Sequence, residues 1–141
     1  MKAKTPPKVK DTPSWRDSYY HKLFGLKAAR EVERVLPLFE RESPNDPRPR
    51  RAMEAIKAWA QGKRKLGMAE VRKLSLDSHA AARQAKSDGA RYAARAAGHA
   101  VATWHVPTHA LGAYSYAARA YAAGKNQASK RRKSPSLKRC A

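Results

Sequence analysis

Residues 80–123 read AAARQAKSDGARYAARAAGHAVATWHVPTHALGAYSYAARAYAA, with 18 alanines in 44 positions. Alanine has the highest helix propensity, and its single methyl lets neighbouring helices approach closely, so the stretch predicts tightly packed helices. Ser87 and Asp88 offer caps between two of them, and Val106, Pro107 and Thr108 interrupt the next. Ala90, Ala94, Ala97, Val101 and Trp104 fall on one stripe, as do Leu111, Tyr114, Ala118 and Tyr121 in the following segment, and both stripes are expected to face inward.

Working outward, Met68, Val71, Leu74, Ser78, Ala82 and Ala85 mark a helix ending near Lys86. Before it, Asp46 suits an N-cap, Pro47 the first helical position and Pro49 the first turn, opening a helix that carries Met53, Ile56 and Trp59 to a stop at Gly62. The first ordered stretch runs from about Trp15 to Glu42. Gly25 is expected to divide it, and Pro37, lacking a backbone donor, to kink or end it. No run alternates apolar and polar residues in the manner of a strand. The pattern therefore predicts an all-α, compact bundle of five to six helices over residues 15–124, with Trp15, Trp59 and the tyrosines serving as packing.

The ends differ in composition. Residues 1–14 hold four lysines, three prolines and one acid, and residues 125–141 hold seven cations and no acid, so both are expected to be disordered basic tails. The chain's formal net charge is +20, and the central stretch keeps about half of it. Such a surplus favours polyanions or acidic partners, and bears on association rather than on fold. Cys140 is the only cysteine, which excludes an intrachain disulfide and suits a reducing cytoplasm. No apolar run is long enough to span a bilayer, and the lysine-rich start lacks the apolar core of a secretory signal.

Several strings occur in a definite order: Val35-Leu36-Pro37-Leu38-Phe39-Glu40, Asp46-Pro47-Arg48-Pro49-Arg50, Ala58-Trp59-Ala60, Gly98-His99-Ala100-Val101-Ala102-Thr103-Trp104-His105-Val106 and His109-Ala110-Leu111-Gly112-Ala113. In that order and spacing the chain resembles the immunity-protein family of bacterial polymorphic toxin systems, the immunity-five-like group, over roughly Leu26 to Tyr121. The resemblance implies a small, helical, cytoplasmic, non-enzymatic protein that neutralises a toxin by direct binding. Given the basic body, the partner's surface should be acidic or largely uncharged.

Three kinds of chemistry compete for the remaining residues. His99 follows Arg95 by four and Arg91 by eight, on the side of its helix away from the alanine stripe. His105 and His109 are spaced like a pair of metal ligands, but Pro107 lies between them. His79 joins the group if its helix packs antiparallel. These residues, with Trp104, serve as inter-helix hydrogen-bonding groups, as a partner-binding patch, or as part of a metal or catalytic site. No zinc signature, serine elbow or phosphate loop accompanies them, so no cofactor, metal or catalytic residue is assigned. Lys63, Arg64, Lys65 and Arg72, together with Lys130, Arg131, Arg132 and Lys133, are the candidate contacts of a non-specific nucleic-acid binder. Glu31, Glu33, Glu40 and Glu42, interspersed with Arg30, Arg34 and Arg41, read as a solvated charged face.

Overall fold

The computed structural model describes residues 18–133. Five helices follow one another: α1 (Tyr19–Glu42), α2 (Arg48–Ala60), α3 (Met68–Gln84), α4 (Asp88–Ala102) and α5 (His109–Lys133). Among the described residues there is no strand. The N-terminal arm at 1–14, Trp15 and the last eight residues lie outside that range.

Helix α4 is the axis of the bundle and packs against all four others. Its buried residues are Gly89, Ala90, Ala93, Ala94, Ala96, Ala97, Gly98, Ala100 and Val101. A helix buried on most sides must carry little side chain, because each neighbour otherwise stands off and leaves voids. The bulk of the core comes instead from α1 and α2, whose Val32, Leu36, Phe39, Met53, Ile56 and Trp59 are buried.

Side-chain links set the directions. Arg50 pairs with Glu40 and Lys57 with Glu33, so α2 returns antiparallel to α1. Ser78 Oγ donates to the Ala94 carbonyl across 2.8 Å and Ser75 Oγ to that of Gly98 across 3.0 Å, which makes α3 and α4 antiparallel. Leu38 lies against Gly124, while Glu31 and Arg34 lie beside Tyr114, so α5 runs parallel to α1. The turn after α2 closes on Gly62, whose φ of 73° lies in the left-handed region that favours glycine.

Five expectations need correction. Helix α1 is continuous through Gly25, where the missing side chain admits the Trp59 ring; a Cβ there would lie 3.1 Å from it. It also continues through Pro37 to Glu42. An interior proline costs about 3 kcal/mol, whereas burying Leu36 and Phe39 beside it returns about 1.5–3 kcal/mol each. Helix α2 starts one residue late: Pro47 is the cap residue, and Asp46 accepts from the Arg48 amide at 3.1 Å. Three of the four glutamates of α1 are not simply solvated, since Glu33 and Glu40 clamp α2 and Glu42 receives the amides of Lys86 and Ser87 ahead of α4, while Glu31 pairs with Arg34 on the surface of α1 as expected. Helix α5 runs through Lys133, where a basic tail was expected from 125. Alanine, lysine and arginine are strong helix formers, and cations suit a helix C-terminus.

Candidate functional site

Three of the histidines come together where three helices meet, each of them half-buried. His79 from α3, His99 from α4 and His109 at the start of α5 form a ladder, with ring centroids 5.2 and 6.0 Å apart in turn. Tyr116 of α5 stacks on His99 at 5.2 Å, and Arg95 Nη1 lies 2.9 Å from His79 Nδ1. Two glycines make room for the rungs. A Cβ on Gly98 would lie 2.7 Å from the His79 ring, and one on Gly112 2.6 Å from that of His99.

The electrostatics follow from this packing. Burial pushes His79 down to about 4, helped by the nearby His99, Arg95 and Arg83. His99 is likewise lowered, by burial and then by His109 and Arg95, and His109 by burial and then by His105. Burial and the neighbouring charges thus favour the neutral form of all three rings, which join three helices. Among the described residues no three His, Cys, Asp or Glu side chains are placed to share one metal ion.

Other members of the expected patch go elsewhere. Trp104 is only 6% exposed and belongs to the core, so it is unsuited to anchor a partner. His105 is exposed on the turn between α4 and α5, and Arg91 pairs with Asp88. A buried histidine contact was missed: His21 Nε2 meets the Thr103 carbonyl at 2.7 Å and its ring lies against Trp59.

The nucleic-acid candidates also separate. Lys63, Arg64, Lys65 and Arg72 lie around the α2–α3 connection, at the end of the bundle where α1 begins. Lys130 to Lys133 are exposed on the last turn of α5, and Arg131 and Arg132 share a surface depression with Arg41 at the other end of α1. They do not form one patch.

What solvent does see is a different set. In α5 the buried residues are Ala110, Ala113, Ala117 and Ala120, so Leu111, Ala118 and Tyr121 of the expected stripe face outward while Tyr114 is half-buried against the core. Leu111 is 67% and Tyr121 58% exposed. On α1, Tyr19, Tyr20 and Phe24 are exposed as well. The groove between these helices is lined by Glu31, Arg34, Val35, Tyr114, Ala117 and Tyr121, among others, with a volume of about 350 Å³. The signal in the sequence was the stripe on α5 itself, read as facing in.

No helix among the described residues is long and apolar enough to cross a membrane. No curated protein and no solved structure matches the chain. The family described as "Imm-5 like putative immunity protein" matches residues 21–140, which take in α1 from His21 and the whole of α2 to α5. By that match the chain belongs to the Imm-5 like family of immunity proteins.

Proposed function

We propose that this chain is a non-enzymatic immunity protein that neutralises a partner toxin by binding it directly, in the cytoplasm of the cell that makes both. The observation that carries the reading is the family match across 21–140. Two features of the molecule support it. The histidines that could have served chemistry are engaged in packing α3, α4 and α5 together, and large apolar and aromatic side chains are left on a rigid helical frame, where binding anchors are commonly found.

The test is a growth assay. The reading frame beside this gene is expressed in a bacterial host, alone and together with this chain. Growth arrest relieved by co-expression, with the two proteins co-purifying, supports the reading. Equal killing with and without this chain overturns it.

A second reading is favoured by one observation: Lys125 and Lys130 to Lys133 put five cations and no acid on the exposed end of α5. Such a helix end can contact phosphates without reading sequence. Duplex binding that weakens steeply with salt, and disappears when residues 125–141 are removed, supports it.

A further inference from the structure

Helices α1 and α5 carry matching stripes. Phe24, Lys27, Glu31 and Arg34 fall at steps of three, four and three along α1. Leu111, Tyr114, Ala118 and Tyr121 do so along α5. The two helices run parallel, and Lys27, Glu31 and Arg34 of the first stripe and Tyr114, Ala118 and Tyr121 of the second line one groove. Two adjoining hollows of about 350 and 480 Å³ share Glu31, Arg34 and Tyr114. Val35 and Ala117 form the floor of the larger-walled part, and the tyrosines of α5 form a wall. Lys125 lies 4.9 Å above the Tyr121 ring at one end.

Charge is distributed unevenly around this groove. Eight of the nine described carboxylates are engaged, seven in ion pairs and Glu42 with backbone amides. Glu31 is the groove's one carboxylate, already paired with Arg34, while Lys27 and Arg30 add two more cations to its lining. An apolar slot with a cationic rim calls for an occupant that is apolar along one side and acidic along the other.

We propose that this groove docks an acidic amphipathic helix of the partner protein. The inference rests on the direct-binding function proposed above. Ten residues of helix cover about 15 Å, so the stripes match about three turns of a partner helix reading i, i+3, i+4, i+7. A phosphate backbone would satisfy the cations but leave Tyr114, Tyr121 and the floor of Val35 and Ala117 without a partner. The chain's own flanks are poor occupants, since residues 1–14 and 134–141 are themselves basic, and a second copy would set one cationic rim against another.

The test uses the full chain and a fluorescein-labelled helical peptide of about 18 residues, built from Leu at i, i+3, i+4, i+7 and Glu elsewhere. The expected result is saturable binding, weakened about tenfold or more by Ala118→Trp and by the pair Arg30→Glu with Arg34→Glu. The pair Lys130→Glu with Arg132→Glu makes the same change in net charge and should leave binding within about twofold. Circular dichroism establishes that each variant is folded, and Tyr121→Ala serves as a second groove variant if Ala118→Trp is not. The proposal is overturned if the peptide does not bind, if both charge pairs weaken it equally, if a Lys/Leu peptide binds as well, or if short duplex DNA binds through Arg30 and Arg34 more tightly than the peptide. Any of these results leaves the growth assay unaffected, so loss of the groove and loss of the immunity reading are told apart.

Discussion

Arg95 Nη1 donates to His79 Nδ1 across 2.9 Å, linking α4 to α3. Arginine can only donate, so His79 accepts and its imidazole is neutral. A protonated ring would lose this bond and face Arg95, Arg83 and His99 with a like charge.

Acid should therefore loosen the bundle before its carboxylates titrate. His79 falls from an ordinary 6.5 to about 4 on folding, and His99 and His109 shift the same way. The unfolded chain binds more protons in that window, so the stabilisation is complete above about pH 6.5 and is lost as pH falls toward 4. After discounting for partial exposure, His79 contributes about 1–2 kcal/mol. Thermal melts at pH 7.5 and 5 should differ by several degrees, and His79→Gln should flatten the slope. An unchanged slope would remove the ladder from the explanation. Glu42 and Asp46, held below their ordinary 4.5 and 3.8, act only at lower pH.

Gly98→Ala and Gly112→Ala should each destabilise, although alanine is the better helix former. Helix propensity offers about 1 kcal/mol in favour, whereas forcing a methyl against a pinned ring costs about 1–3 kcal/mol. Gly112→Ala should be the worse, because its methyl meets His99 Cγ, close to the backbone, at 2.9 Å. In a His79→Ala background Gly98→Ala should become neutral or stabilising, a non-additivity that a double-mutant cycle of denaturant midpoints would measure.

Glu42 joins the end of α1 to the start of α4, accepting from the Lys86 and Ser87 amides at 2.9 Å each. Burial raises its pKa, but the bonds from Lys86 and Ser87 outweigh that and hold it below the ordinary value. Glu42→Ala should cost about 1–2 kcal/mol, in the range of a lost helix cap. Faster hydrogen exchange at the amides of 86 and 87, with little change at α2, would locate the loss.

Trp104→Ala should act on stability, by about 3–5 kcal/mol, as deletions of large core aromatics do. His105→Ala, one residue on but exposed, should stay within about 0.5 kcal/mol. Chemical denaturation of the two variants separates a core tryptophan from a surface one.

The sequence by itself determined the helical class, the cap at Ser87, the stop at Gly62 and the buried stripe of α4. All are local: a capping oxygen, a left-handed turn and a period of 3.6 need no distant partner. Tertiary structure decided which side of α5 faces in. Two stripes offset by one residue compete there, one of large side chains and one of alanines, and hydropathy alone selects the larger. Helix α4 comes close along this side, so Ala110, Ala113, Ala117 and Ala120 go inside and Leu111 and Tyr121 go to the surface. The same close approach brings three of the histidines into one joint. Helices spaced by alanine and glycine leave a flat ring just enough room between them, where partial burial favours its neutral form.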